Sequence, residues 1–312
     1  MELDIISYHD LNNPTTADRI KAALFTYGIV GVKDVPNFKA ITAAYVKAAR
    51  EFSALNDEIK AQYAPLRDAG DTEGYELGAE QFQDKAGNWL VDTKKASFYA
   101  IIPNQEKNKW PREVDLKTHY LALANLIFVT GKEVLSSIGL NETIGIHHDD
   151  LSGYGRMLHY HQENDATNDL PWCGAHLDHG VFTGLAPAYY FRDGEAVDEP
   201  AESGLYVRPA NCEDFIKVNS SDKTVLLFQT GEFGQLTTND NIRATKHVVK
   251  KAKENIERFT LAVFFNAQED MVIQSTSELA KDSRYTENQD ADGKISFKKW
   301  DAASHARYRA ST

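Results

Sequence analysis

The chain has 312 residues, with 34 Lys and Arg against 46 Asp and Glu, a formal charge of −12. At 42 % apolar and 26 % charged it has the profile of a globular protein long enough to bury a sizeable core without disulfides. The acidic balance disfavours contact with nucleic acid or anionic lipid, and no window approaches 18 consecutive apolar residues, so neither a nucleic-acid nor a membrane partner is expected. The best apolar runs are Val225–Phe228 and Leu261–Phe265. Cys173 and Cys212 cannot build a disulfide framework, and Met-Glu-Leu-Asp carries neither a basic nor an apolar leader, so a cytoplasmic protein is expected.

Residues Leu3–Ile6 read as a short strand. A helix is predicted over Thr15–Thr26 after the Asn13-Pro14 turn, stopped by Gly28, and Ile29–Val32 reads as a buried strand. Phe38–Leu55 is helical, residues 63–95 look like extended loop, and Ser97–Ile101 is a strand. Lys117–Ser137 is the longest helix, with Leu123, Ala124, Ile127, Phe128, Val134 and Leu135 on one broad stripe. Past Gly153 short strands follow: Met157–His161, Gly174–Gly184, Gly204–Arg208, Phe215–Val218, Thr224–Gln229, Phe233–Leu236, Thr245–Lys250 and Arg258–Asn266. Helical pattern returns over Lys298–Arg309. The expected class is α+β: a helical N-terminal region wrapped on a double-sheet β core.

Ten histidines need sorting. His147-His148-Asp149-Asp150 lies between a helix and the first β-run and reads as a solvated loop. His176 and Asp178 lie within a predicted strand, where residues i and i+2 share a face and both reach one ion. His247, flanked by β-branched residues, is the best candidate for a third ligand. Two imidazoles and one carboxylate leave coordination positions open, which suits Fe(II) holding a cosubstrate and O2. A structural zinc site would want four protein ligands, usually with thiolates. On the predicted return strand Arg258 and Thr260 share a face and suit a carboxylate. Taken alone, Arg258 reads more simply as a strand-end Arg reaching water; its place after His247 favours the anchor.

These residues resemble the isopenicillin N synthase-like group of Fe(II)/2-oxoglutarate-dependent dioxygenases. His176-Leu177-Asp178-His179-Gly180-Val181-Phe182-Thr183-Gly184-Leu185 looks like that family's His-x-Asp-x-Gly-x-x-Thr-x-Leu segment. Leu236–Asn239 with Ile242–Val249 resembles its second metal segment, and Arg258-Phe259-Thr260 its Arg-x-Ser/Thr. Arg156–Tyr160 is similar to the strand bearing a cosubstrate-contacting tyrosine, and Gly28–Val32, Gly74-Tyr75 and Asn108–Pro111 also fit. The resemblance runs from about Leu3 to Tyr308. It implies His176, Asp178 and His247 as iron ligands, Arg258, Thr260 and Tyr160 as the 2-oxoglutarate site, and O2 as oxidant. His161, His179 and Phe182 are candidate substrate-pocket residues. The implied fold is a double-stranded β-helix, or jelly roll, flanked by helices drawn mostly from the N-terminal half. A single dioxygenase domain over residues 1–312 is expected, with a helical region at 1–150, a catalytic core at 151–270 and a C-terminal extension at 271–312. The substrate would be a small molecule; the oligomeric state is not legible.

Three departures stand out. His161-Gln162 replaces the two prolines frequent after the tyrosine, Gly231-Glu232 replaces Gly-Asp, and Asp178 to His247 is longer than expected. The surplus falls in Ala186–Ser203, either part of a substrate rim or a solvated acidic loop. Three other functions compete: an Fe(II) oxidase of the same fold without 2-oxoglutarate, a non-catalytic metal- or ligand-binding protein, and a metal hydrolase with His179 or Glu232 as base.

Overall fold

A computed structural model describes residues 2–78, 81–83, 89–91, 93–139, 150–161, 171–210, 212–219 and 222–308. His147, His148, Asp149, Gln162 and Arg309 therefore lie outside the described residues. No described helix is long and apolar enough to cross a membrane.

The N-terminal region alternates strand and helix. Strand β1 (Ile5–Ser7) leads to α1 (Pro14–Thr26), whose first turn is closed by the Asn13 side chain accepting from Thr15 N, with proline at N1. Gly28 then adopts φ +67°; a Cβ there would lie 1.6 Å from Thr245 Oγ1, so only glycine fits where this turn meets the C-terminal half. Strand β2 (Ile29–Lys33), α2 (Phe38–Ser53) and α3 (Asp57–Ala61) follow. The predicted loop at 63–95 instead contains β3 (Gly74–Leu77) and the pair β4 (Gln81–Gln83) and β5 (Trp89–Val91) before β6 (Lys95–Ile102). α4 (Leu116–Ser137) lies closely on the sheet: a Cβ on Gly131 would meet Phe265 at 2.2 Å.

The second half is mostly strand: β7 (Ser152–Tyr160), β8 (Cys173–His176), β9 (Phe182–Leu185), β10 (Tyr189–Arg192), β11 (Glu195–Val197), β12 (Gly204–Arg208), β13 (Ile216–Lys217) and β14 (Leu226–Thr230). After helix α5 (Glu232–Thr237) come β15 (Lys246–Lys250), β16 (Glu257–Asn266) and β17 (Val272–Ile273). The chain closes with α6 (Ser283–Thr286), β18 (Ile295–Ser296) and α7 (Phe297–Tyr308). Among the described residues, ten strands form one sheet ordered β1-β2-β14-β9-β16-β7-β6-β3, with β10 beside β16 and β11 beside β10. A second sheet has the order β13-β12-β15-β8.

Strand period divides the core in two. On β16, Phe259, Leu261, Val263 and Phe265 face the helices and pack with residues of α2 and α4, such as Phe52 and Ile127. Ala262 turns the other way and joins Leu158 and Tyr160 of the large sheet and Leu205, Val207 and Val249 of the small one. The two sheets thus enclose a second interior, and the candidate site lies there.

Three further expectations change. The run Phe233–Leu236 is helical, not a strand: the α5 backbone amides of Glu232 and Phe233 are taken by the carbonyls of Asp178 and Gly180. Gly174–Gly184 is not one strand but two, β8 in the small sheet and β9 in the large one, and Asp178 stands on the crossover between them. The segment Ala186–Ser203 is likewise not simply a solvated loop. Its strand β10 pairs with β16, and Tyr190 is only 1 % exposed.

Candidate metal and carboxylate site

Three side chains converge where β8, β15 and the β8–β9 crossover meet. His176 and His247 face each other directly in register, their ring centroids 4.2 Å apart. Asp178 Oδ1 lies 3.6 Å from His176 Nε2 and 3.8 Å from His247 Nε2. Among the described residues this is the one cluster of three or more His, Cys, Asp or Glu with donors within 4.8 Å of one another. The two outer imidazole nitrogens are already engaged: His176 Nδ1 lies 2.8 Å from Gly174 O, and His247 Nδ1 lies 3.0 Å from Thr245 O. If those are N–H donors, both Nε2 lone pairs face Asp178, the second-sphere arrangement that fixes a ligating tautomer.

Asp178 is organised in the same way. Its Oδ2 accepts from Thr183 Oγ1 at 2.7 Å and from Gln229 Nε2 at 2.6 Å, leaving Oδ1 toward the histidines. Burial would raise its pKa, but the histidines and these hydrogen bonds hold it well below the usual carboxylate range. Burial, helped by the neighbouring His176, lowers His247 to about 4, so it is neutral near pH 7. Burial would lower His176, but Cys173 and Asp178 raise it, so a metal must displace its proton; the carboxylate and the two imidazoles, both then neutral, form a donor set that could hold a divalent transition metal with positions open. His176 is half-buried, so the site opens on that side.

Sequence reasoning missed Gln229. The signal was there: a lone amide at an inward position of an otherwise apolar strand, Leu226-Leu227-Phe228-Gln229, needs a partner. Gln229→Leu is expected to cost about 10–100-fold in metal affinity, as losses of outer-sphere partners do. A Co(II) titration of the two proteins checks this; equal affinities would remove Gln229 from the site.

On the same interior face Arg258 is 7 % exposed, paired in register with Tyr160 on one side and Tyr190 on the other. Its Nε donates to Tyr190 Oη at 3.3 Å, its guanidinium carbon lies 5.1 Å from the Tyr160 ring centre, and Nη1 is buried with no hydrogen-bond partner. A buried, unpaired guanidinium nitrogen is costly and suits an anionic ligand. The water-facing reading of Arg258 is therefore wrong. Thr260 shares the face, but its hydroxyl donates to Ala186 O at 2.8 Å and must turn before it can donate to a carboxylate.

The three candidate pocket residues lie elsewhere. Phe182 stacks on Phe228, centroids 5.5 Å apart, on the helix-facing side of the sheet. His161 follows Tyr160 and so turns to the opposite face, beside His159, which stacks on Phe259. His179 points behind the crossover, its Nδ1 3.2 Å from Glu232 Oε2. There Arg284 grips Glu232 with two 2.7 Å bonds, and Trp300 of α7 donates to His179 O. With Glu232 so engaged and His179 turned from the triad, the hydrolase reading loses both bases. Arg284 and Glu232 are 6 % and 1 % exposed, so Arg284→Met should destabilise the fold by about 3–5 kcal/mol in urea unfolding, and a loss below 1 kcal/mol would contradict the buried pair.

His161 gives a pH dependence. Burial, with the charges of His159 and Lys60, holds it at about 4, against roughly 6.5 for an unfolded histidine. Between those values the unfolded chain binds the extra proton, so this stability is present above pH 6.5 and lost as pH falls toward 4. Allowing for partial exposure the loss is on the order of 2 kcal/mol. Urea unfolding at pH 7 and pH 4.5 should show His161→Asn losing less than the parent; parallel losses would contradict the assignment.

No protein-family model and no curated protein matches the chain. Solved structures do. A Caulobacter crescentus protein described as a 2OG-Fe(II) oxygenase family member is 20 % identical over 98 % of this chain and 99 % of its own, at TM-score 0.73. Full-length Neurospora crassa protein in complex with alpha-KG, crystallised also with thymine, is 18 % identical over 97 % and 95 %, at TM-score 0.70. A rice dioxygenase for auxin oxidation is 18 % identical over 98 % and 96 %, also at 0.70. The chain has the fold of the 2OG-Fe(II) oxygenases.

Proposed function

We propose that the protein is a Fe(II)- and 2-oxoglutarate-dependent oxygenase, its core a double-stranded β-helix of the isopenicillin N synthase-like type, that oxidises a small molecule. The observation that carries this reading is the His176–Asp178–His247 cluster sharing one interior with a buried Arg258 whose Nη1 has no partner. His176 Nε2, Asp178 Oδ1 and His247 Nε2 hold the metal. Bound iron and 2-oxoglutarate supply the oxidising chemistry, coupling formation of succinate and CO2 to oxidation of the second substrate.

The chain's own residues do the rest. Thr183 and Gln229 fix the rotamer of Asp178, and the Gly174 and Thr245 carbonyls fix the rings. Arg258 takes the distal carboxylate of 2-oxoglutarate, with Tyr160 beneath it; burial raises the Tyr160 hydroxyl to about 12, so it stays a neutral donor. The apolar walls Leu205, Val207 and Leu158 exclude water from the oxidising centre. Protein supplied with Fe(II), 2-oxoglutarate and air should release succinate, and removing iron should stop it. Oxygen uptake on a substrate without succinate would favour the oxidase instead.

A further inference from the structure

Asp178 stands on a crossover between two sheets, where no strand ladder fixes its backbone, yet a metal ligand must keep its place. The carbonyls of Asp178, His179 and Gly180 are each taken by a donor behind the site. Glu232 N donates to Asp178 O at 2.8 Å, Phe233 N to Gly180 O at 3.0 Å, and Trp300 Nε1 to His179 O at 3.2 Å. The turn into α5 is pressed onto these carbonyls: a Cβ on Gly231 would lie 2.2 Å from Gly180 O. Two of the donors are backbone amides of α5. The third is a fully buried side chain of α7, 121 residues further along the chain than the carbonyl it meets. Arg284 ties the donors together. It grips Glu232 through both terminal nitrogens at 2.7 Å, and its guanidinium carbon lies 4.3 Å over the Trp300 ring. Its Nη1 also donates to Ser304 Oγ on α7 at 3.1 Å, and Asp282 holds it from the other side. Burial would raise Glu232, but Arg284 and His179 hold it below the usual carboxylate range, so the grip is ionic at neutral pH.

We propose that Trp300 is a positioning residue for the metal site: its indole N–H, seated by Arg284, fixes the crossover backbone from which Asp178 reaches the metal. The inference rests on the metal-binding reading of His176, Asp178 and His247, and it gives the C-terminal segment a part in that site. Thr183 and Gln229 fix the rotamer of the Asp178 carboxylate, but not the peptide that carries it. That peptide is held from behind, and His179 O lies one peptide unit beyond Asp178. A site of this kind must keep its donors within about 0.5 Å of the productive geometry, so a crossover that relaxes further loses affinity. Because Trp300 donates through its side chain, this bond can be removed without altering any backbone group.

The test uses the full chain and Co(II), whose visible absorption reports the geometry of its ligands. Trp300→Phe keeps a ring against Arg284 and removes the N–H. Its Kd for Co(II) should rise about ten-fold, the low end for a partner behind a ligand, and the absorption should change in shape. Trp300→3-benzothienylalanine, which puts sulfur in place of the N–H and keeps the packing, should give the same loss with urea stability nearer the parent's. Tyr285→Phe is the destabilised control: the Tyr285 hydroxyl donates to Gly293 O and accepts from Ser275 N in the same C-terminal segment. It should unfold at lower urea than the parent yet keep the parent's Co(II) affinity and absorption. Parent-like affinity and absorption in both Trp300 variants, or an equal loss in Tyr285→Phe, overturns the positioning role and leaves the metal site standing. Co(II) that fails to bind the parent overturns the metal-binding reading and the positioning role with it.

Discussion

Asp178→Asn is expected to remove metal binding while leaving the fold nearly intact. The asparagine keeps the size of the side chain, and its carbonyl oxygen can still accept from Thr183 and Gln229. What it turns toward His176 and His247 is then an NH2 group with no lone pair to give. One of three donors and the only negative charge among them are lost together. The fall in Fe(II) affinity should exceed the roughly 10–100-fold that follows loss of an outer-sphere partner, and activity should fall to background. Anaerobic Fe(II) titration of both proteins decides it. Affinity within ten-fold of the parent would mean that the ion sits elsewhere.

Arg258→Met should raise the Kd for 2-oxoglutarate by about 30-fold or more. Removing one partner of a buried, hydrogen-bonded charge pair typically costs at least about 2 kcal/mol, and each 1.4 kcal/mol is a factor of ten. The guanidinium is buried, its Nε is committed to Tyr190, and Nη1 waits without a partner. Arg258→Lys should fall between the two, since it keeps the charge and loses the fork. Fe(II) affinity should stay near the parent's in both, because Arg258 supplies none of the three metal donors. An unchanged 2-oxoglutarate Kd in Arg258→Met would place the carboxylate elsewhere.

Much of the molecule was legible in the sequence because local signals and tertiary demands agreed. The Asn13-Pro14 start of α1, the stripe of α4 and the β16 run survive almost to the residue. His176, Asp178 and His247 were named from spacing and a family pattern, and the fold brings them together. The failures share a cause. A strand pattern says that neighbours alternate, but it does not say which face is which. His161 and Phe182 are candidate pocket residues in the sequence, and alternation turns both away. Phe233–Leu236 looked β-like because it is apolar, yet it is buried as a short helix by bonds to the Asp178 crossover, a tertiary effect no local pattern encodes. Gln229 and Tyr190 carried no motif. Each is a polar group at an inward position of an apolar stretch, and its partner came into view only when the sheets were assembled.

The most direct test of the account is to add Fe(II) and 2-oxoglutarate to the metal-free protein without oxygen and record the visible spectrum. A charge-transfer absorption should appear, absent in His176→Ala and weakened in Arg258→Met at the same 2-oxoglutarate concentration. Iron that binds with no such band, or a band equally strong in His176→Ala, would contradict the shared metal and carboxylate site on which the account depends.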